Sequence, residues 1–156
     1  FAHKHERSTA FTLSDPFCVN RYREEFLDLM RSRTIDYVFA NIEELKSLYQ
    51  TDELGAAVQQ IAKDAELAAI TMGAGGAMVV HEGEVITVPA YSVPDVVDAT
   101  GAGDLFASGF LFGYTNGRSL EDCGHLGCYA AGVVIQQIGP RPMMSLQKGA
   151  AAISLI

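Results

Sequence analysis

Short apolar runs alternate with amphipathic stretches along the first half of the chain. The runs are bounded by turn residues, which is typical of buried strands, and the stretches between them carry apolar side chains at helical spacing. Strands that alternate with helices build an open, mostly parallel sheet flanked by helices, so the pattern predicts an α/β fold. The strands are predicted at residues 10–13, 36–40 and 67–71, and the helices at residues 20–30, 42–49 and 54–64.

The second half of the chain begins with a hairpin and ends with two long helices. A glycine-rich turn precedes two short strands joined at Glu82-Gly83, which is a typical hairpin signal. Repeats, low-complexity tracts and flexible linkers are absent from the sequence, so residues 1–156 are expected to form a single domain. The strands are predicted at residues 77–81 and 84–89, and the helices from Gly101 to about Tyr114 and from Ser119 to about Ile138.

Composition and charge limit the kinds of ligand and partner that this chain is expected to bind. Of the 156 residues 49% are hydrophobic and 19% are charged, a balance typical of globular proteins. The net charge of -8 disfavours general nucleic-acid binding, and a phosphate ligand would have to be neutralised locally by amides, metal ions or a few cations. The longest apolar run, residues 129–135, is far too short to span a membrane. The first residues do not form a signal-peptide pattern.

Three cysteines, at positions 18, 123 and 128, have no disulfide-framework spacing. An odd number of cysteines that lack this spacing indicates reduced thiols and predicts a cytoplasmic setting. Cys123, His125 and Cys128 could instead belong to a metal site. A fourth ligand is not in an obvious position, so thiols packed within a helix are the favoured interpretation.

The most informative stretch is residues 98–104, Asp-Ala-Thr-Gly-Ala-Gly-Asp. Small residues bring the backbone close to a ligand, and the amides at a helix start present the positive end of the dipole, so this loop predicts an anion hole for a phosphate. A carboxylate at Asp104 would repel that phosphate unless it accepts the proton of an attacking hydroxyl. The alternative is an ordinary glycine-rich loop with an acidic first helical turn. The run matches neither a Walker loop nor a dinucleotide fingerprint.

The same run resembles the second signature of the ribokinase-like (PfkB-type) kinases. The resemblance implies an ATP-dependent phosphotransferase whose catalytic base is Asp104. It also implies an anion hole and, in many members, a monovalent cation such as K⁺ near the loop. The segment Gly139-Pro140-Arg141, after the last long helix, differs from the family's usual sequence at that place. Whether this chain has the cation site is therefore left undecided by the sequence. The anion hole would be formed by Gly101, Ala102 and Gly103, and the cation would be held with Asp98 and Thr100.

Two further motifs follow the order and spacing of that family. Asn41-Ile-Glu-Glu44 resembles its Asn-x-x-Glu element, which implies that Glu44 organises magnesium-bound water and Asn41 the nucleotide phosphates. Residues 71–76 resemble the turn that lies along ATP, which implies nucleotide contacts from Thr71, Gly73 and Gly76. Taken singly, the first motif could be a helix cap with an exposed glutamate, and the second a plain hairpin approach.

Within the family, residues 11–17 are similar to a segment of the adenosine kinases, Leu-Ser-x-Pro-Phe, and residues 36–41 also resemble those enzymes. The resemblance implies that Phe17 and Phe39 contact a nucleoside base, since flat aromatic rings suit such a ligand. Either phenylalanine could instead be ordinary core. The implied acceptor is a primary hydroxyl of adenosine or a related nucleoside, and the alternative is a sugar.

Family members also have an N-terminal half that supplies most acceptor contacts and a lid, and neither is visible in this sequence. The sequence is therefore expected to be the C-terminal half of the ribokinase-like fold, and its homodimerisation is an open expectation. A catalytically silent nucleotide-binding module is the rival from a different functional class. No nucleic acid and no membrane are expected among its partners.

Overall fold

The computed structural model describes residues 2–155, which divide into two compact units. The first unit takes in the residues up to Met72 together with Met78–Val85. The second takes in Gly73–Ala77 and the residues from Ile86 onwards. The strands are β1 (Ala10–Thr12), β2 (Tyr37–Asn41), β3 (Leu67–Thr71), β4 (Ala77–His81) and β5 (Glu84–Val88), and the helices are α1 (Pro16–Arg21), α2 (Arg23–Arg31), α3 (Ile42–Tyr49), α4 (Leu54–Asp64), α5 (Ala102–Thr115), α6 (Leu120–Val134) and α7 (Leu146–Ala152).

The strands form one five-stranded sheet in the order β1-β2-β3-β4-β5. β1 pairs with β2 and β2 with β3 in parallel, and the register sets Asn41 opposite Thr71. The links from β3 to β4 and from β4 to β5 are too short for a parallel crossover, so these strands form hairpins and the sheet is mixed. The predicted open α/β sheet flanked by helices is confirmed. The expectation of a single domain stays a prediction.

The boundaries of two predicted helices differ from the structure. The helix predicted at residues 20–30 is two helices, because Pro16 begins α1 early and the chain leaves helical geometry at Tyr22 (φ -120°, ψ 31°). The last long helix ends at Val134 rather than near Ile138. The carbonyl of Ile135 accepts hydrogen bonds from the amides of Val97 (2.7 Å) and Asp98 (3.2 Å), which fixes the chain in the loop that follows.

The core of the first unit lies between its strands and the helices α1 to α4. Buried side chains from β2, β3, β4 and all four helices meet in one apolar cluster, and Phe11 of β1 packs against it half-buried. The cluster anchors β2 and β3, the strands that end at the candidate residues Asn41 and Thr71. Its fully buried members include Leu13, Val19, Met30, Val38, Leu45, Leu48, Ile61 and Ile70.

In the second unit, α5 and α6 pack closely through glycines. A Cβ at Gly109 would lie 2.4 Å from the carbonyl oxygen of Leu126, and one at Gly127 would lie 2.8 Å from the ring of Phe106. Cys123 and Cys128 are buried on α6, as the prediction of packed thiols requires, and burial raises the pKa of each thiol to about 11. Both thiols are therefore protonated at neutral pH.

Within residues 2–155, no helix is both long enough and apolar enough to cross a bilayer.

Candidate functional site

The first group of candidate residues lies at the carboxyl ends of parallel strands β1 to β3. Asn41 is the last residue of β2 and Thr71 the last residue of β3, and the register pairs them. The Thr71 hydroxyl donates to the carbonyl of Ala40 at 3.4 Å. In open α/β sheets ligands bind in the crevice beyond the carboxyl ends of the strands. The positions of Asn41 and Thr71 therefore suit contact with a ligand.

Asn41 and Glu44 are joined by a capping box at the start of α3. The Asn41 side-chain oxygen accepts from the Glu44 amide (2.8 Å), and the Asn41 amide donates to Glu44 Oε2 (3.0 Å). A third hydrogen bond runs from Asn41 Nδ2 to Glu44 Oε1 at 2.7 Å. These bonds fix the glutamate, whose residue is only 5% exposed. The interpretation of Glu44 as an exposed glutamate behind a helix cap is therefore excluded.

Glu44 is a carboxylate in an unfavourable environment. Burial raises the pKa of its carboxyl group, the hydrogen bond from the Asn41 amide opposes that shift, and the charge of Asp15 adds to it. A buried carboxylate with a second carboxylate nearby costs stability and often marks a functional position. Its oxygens are hard ligands of the kind that Mg²⁺ takes alongside water and substrate phosphates, so the residues present fit the implied ion.

We expect Glu44→Gln to raise the free energy of unfolding at neutral pH, because a neutral amide avoids the cost of burying a charge. Its side-chain oxygen can still accept the hydrogen bond from the Asn41 amide, and only the hydrogen bond from Asn41 Nδ2 is lost. Since the folded-state pKa of Glu44 is raised, the wild-type chain loses stability as pH rises from below the ordinary carboxyl pKa, about 4.3, through the folded value. The advantage of the variant should grow over that window, as urea unfolding at a series of pH values would measure.

Glu43→Gln is the matched control for this measurement, because Glu43 is exposed in the same turn of α3. It should leave the pH dependence of unfolding as it is in the wild type. A glutamine at position 44 that lowered stability at neutral pH would show that the charge of Glu44 is well accommodated.

A strained turn at the end of β1 is a feature that the sequence did not reveal. Ser14 has φ 71°, and the amide of Asp15 donates to the carbonyl of Leu13 at 3.0 Å, which closes a γ-turn of the rare positive-φ form. Asp15 then caps α1 by accepting from the Cys18 amide at 2.8 Å. Strain of this kind persists mainly at functional sites. The signal in the sequence was the Ser-Asp-Pro turn, which predicts a reversal but not its geometry.

The two aromatic candidates have different environments. Phe17 is 74% exposed on α1, just after the strained turn. Phe39 is 5% exposed in β2, opposite Thr12 of β1. The burial of Phe39 fits the alternative that it is ordinary core, and its contact with a nucleoside base stays a prediction. Phe17 has the accessibility that a ligand contact requires.

The second group of candidates lies in the loop before α5, in the second unit. Asp98 Oδ1 accepts from the Thr100 amide (2.9 Å) and hydroxyl (2.6 Å), and its Oδ2 accepts from the Gly139 amide (2.9 Å). The hydrogen bond from the Thr100 hydroxyl, followed by the two amides, lowers the pKa of Asp98. Asp98 is thus ionised at neutral pH, and it ties the loop to the segment after α6. Its oxygen atoms and the Thr100 hydroxyl suit a monovalent cation, whose binding here stays a prediction.

The start of α5 has the geometry of an anion site. Gly101 has φ 81°, and a Cβ there would lie 2.5 Å from the Cβ of Pro140, so only glycine fits. The helix supplies no acceptor for the amides of Gly103 and Asp104, and a Cβ at Gly103 would meet open space. The amide of Ala102 already donates to the carbonyl of Ala99 at 3.1 Å, so it could serve an anion only by sharing its hydrogen. Asp104 is exposed in this first turn.

The glycine-rich turn between β3 and β4 is also fixed by close packing. Gly73–Gly75 forms a short 3-10 helix, and the Gly76 amide donates to the carbonyl of Gly73 at 3.1 Å. Gly76 has φ 90°, and a Cβ there would lie 2.1 Å from the carbonyl oxygen of Val88. The structure thus groups Asp15, Asn41, Glu44 and Thr71 in the first unit, and Gly73, Gly76 and the loop 98–104 in the second.

Among residues 2–155, no three His, Cys, Asp or Glu side chains come together as a ligand set for a metal ion.

Comparison with known proteins finds similarity to kinases in each case. The profile described as pfkB family carbohydrate kinase matches residues 2–147. The crystal structure of a probable sugar kinase protein from Rhizobium etli CFN 42 is 61% identical and superimposes over 99% of this chain with a TM-score of 0.98. An adenosine kinase structure from Sinorhizobium meliloti is 56% identical over 97% of this chain, with a TM-score of 0.96. Adenosine kinase 1 of Arabidopsis thaliana is 36% identical over an alignment of 123 residues that covers 67% of this chain.

The chain spans only part of these relatives. It covers 47% of the Rhizobium etli chain, 46% of the Sinorhizobium meliloti chain and 35% of the Arabidopsis thaliana protein.

Proposed function

The chain belongs to the pfkB family of carbohydrate kinases, and we propose that it provides the nucleotide-binding and catalytic half of an ATP-dependent kinase. The observation that carries the proposal is the loop 98–104, which Asp98 ties to Gly139 and which presents Asp104 beside the first amides of α5. A base adjacent to an anion hole is the arrangement that phosphoryl transfer to a hydroxyl group requires.

In the proposed reaction Asp104 accepts the proton of the attacking primary hydroxyl. The amides of Gly101, Ala102 and Gly103 at the start of α5 stabilise the negative charge on the transferring phosphoryl group, with Ala102 sharing its hydrogen with the carbonyl of Ala99 and the amide of Asp104 as a further donor. Mg²⁺, when bound, neutralises charge on the nucleotide phosphates. Glu44 would orient water in the shell of that ion, with its side chain held by the capping box of Asn41.

The other contacts with ATP are assigned to the ends of the strands. Thr71 ends β3 with its hydroxyl held near the carbonyl of Ala40, and Asn41 lies beside it in the register. Gly73 and Gly76 have positive φ and no side chain, which allows the backbone to lie along a nucleotide. K⁺ bound near Asp98 and Thr100, a homodimer and a cytoplasmic location all remain predictions.

The acceptor is proposed to be adenosine or a related nucleoside. The exposed ring of Phe17 supports this choice, because a flat apolar surface beside the strand ends suits a base better than a polyhydroxylated ring alone. A sugar kinase is the second candidate, and the description of the Rhizobium etli relative as a probable sugar kinase favours it. A silent nucleotide-binding module is the third, because the chain spans about half of its solved relatives.

A chimera would test the assignment of the acceptor. In it this chain replaces the equivalent 47% of the Rhizobium etli relative, which shares 61% identity with it. Purified chimera would be assayed with adenosine, ribose and fructose as acceptors and with Mg·ATP as donor. We expect turnover with adenosine. Because the relative supplies most of the acceptor contacts, the unaltered relative is assayed beside the chimera. A chimera that loses phosphorylation of adenosine, or gains phosphorylation of a free sugar, relative to that unaltered protein would exclude the nucleoside assignment and leave a sugar kinase.

In the same chimera Phe17→Ala should raise the KM for adenosine through the loss of base stacking. Stacking of a base on an aromatic ring is worth about 1–3 kcal/mol, or roughly 5- to 150-fold in KM. The KM for ATP should be unchanged. Steady-state kinetics with each substrate varied in turn would measure both values.

Tyr22→Ala is the control for loss of an exposed aromatic ring, since Tyr22 is 45% exposed between α1 and α2. It should leave both KM values unchanged. An equal rise in the adenosine KM for the two variants would mean that general packing, and not stacking at position 17, is responsible.

A further inference from the structure

A second cavity lies in the second unit, on helices that the proposed reaction does not use. Residues of α5, α6 and α7 line a half-open cavity of about 270 Å³ with mainly apolar walls. None of the residues proposed to bind ATP or the acceptor lines it. Its walls include Ser108, Phe112, Leu126, Tyr129, Leu146 and Ala150.

One end of the cavity is positively charged. Phe112 and Gln147 line both the cavity and an adjoining depression, which Arg118 and Lys148 also line. Neither of these two cations forms an ion pair with any residue in the range 2–155. In a chain with a net charge of -8, two unpaired cations beside an apolar cavity favour an anionic ligand.

The hydroxyl of Tyr129 supports the same conclusion. Tyr129 lines the cavity, and its hydroxyl forms no hydrogen bond within residues 2–155, where every side-chain polar atom shielded from solvent has a partner, so this oxygen is open to solvent. A Cβ at Gly149 would lie 2.0 Å from this oxygen, so a glycine in α7 makes room for it. A tyrosine hydroxyl that is open to solvent can donate a hydrogen bond to a ligand. A polar atom of a ligand in the cavity would accept it.

We propose that this cavity binds a small amphipathic anion, with an aromatic or short aliphatic body and one carboxylate, sulfonate or phosphate group. The body would occupy the apolar space, the anionic group would lie near Arg118 and Lys148, and the Tyr129 hydroxyl would donate to a polar atom of the ligand. The space is too small for a protein partner, since stable interfaces involve about 20–30 residues on each side. Small ligands, in contrast, bind in largely apolar cavities with a few convergent polar groups.

Two matched fluorescent probes test the role of the charge in the purified chain. Anilinonaphthalene sulfonate carries the anionic group, and phenylnaphthylamine has a similar aromatic body without it. We expect saturable binding of the sulfonate at one site, weakened about tenfold or more in the double variant Arg118→Glu, Lys148→Glu, as expected for loss of contacts with charged groups. Binding of the neutral probe should change little. Lys63→Glu, an exposed charge reversal on α4, is the control and should change neither.

Two further variants test the cavity itself. Ser108→Trp, introduced at an exposed position of its rim, should weaken both probes because the indole fills the space. Tyr129→Phe should weaken the sulfonate without altering the circular dichroism spectrum. Sulfonate binding that survives both the double charge reversal and Ser108→Trp would overturn the proposal. So would displacement of the probe by Mg·ATP at its own binding concentration, which would assign the cavity to the nucleotide.

Discussion

Asp104→Asn should lower the kcat of the chimera by about 10²–10⁴-fold, the contribution typical of a positioned acid–base group. An amide cannot accept the proton of the attacking hydroxyl, and the rest of the loop has no need to move, because Gly101 and Asp98 hold it independently. The KM for ATP should stay the same or fall, since a negative charge leaves the neighbourhood of the phosphates. Steady-state kinetics with adenosine and Mg·ATP would measure both parameters.

The matched control is Asp122→Asn, because Asp122 is also an acidic residue in the first turn of a helix, α6. Both variants remove the same favourable interaction with a helix dipole, which is worth about 0.3–1 kcal/mol in stability. Only the change at position 104 should reduce turnover. A decrease of less than tenfold in kcat for Asp104→Asn would mean that Asp104 is not the base.

The order of strands and helices could be predicted because periodicity and turn residues are local. Asn41, which the sequence indicated as a helix cap, caps α3, and Ser119, where the last long helix was expected to start, caps α6. The seven-residue helix α7 was missed, since its short run of small residues has no clear amphipathic period. The break at Tyr22 was also missed, because apolar spacing continues through it while the backbone does not.

The residues of the candidate site could be predicted from the sequence, but their burial and packing could not. The glycines and the terminal aspartate of the loop 98–104 were enough to predict a phosphate site there. Its attachment to Gly139 and Pro140 could not be predicted, since it joins segments that are distant in sequence. The burial of Glu44 depends on the packing of α1 against α3, where the Ser47 hydroxyl donates to the carbonyl of Pro16 at 3.3 Å. Local pattern alone therefore left Glu44 looking like an exposed helix residue.

The chain by itself should bind Mg·ATP weakly and fail to phosphorylate adenosine at a detectable rate. The residues proposed to contact the nucleotide are all within it, at the strand ends and in the loop before α5. Most contacts with the acceptor, and the lid that excludes water, are implied by the family resemblance to come from the length of the relatives that this chain does not cover. Positioning of reactants can lower a barrier by about 7–11 kcal/mol, so its loss is expected to abolish measurable transfer.

Calorimetric titration of the purified chain with Mg·ATP and a phosphate-transfer assay with adenosine test the two halves of this prediction separately. Glu44→Gln supplies a control for the binding half, because it should weaken Mg·ATP binding while preserving the fold that its capping box stabilises. Binding without turnover in the chain, together with turnover in the chimera, is the expected pair of results. The reaction needs groups that position the acceptor hydroxyl, and these are proposed to lie in the half that this chain does not cover. Robust phosphorylation of adenosine by the chain alone would therefore refute that proposal.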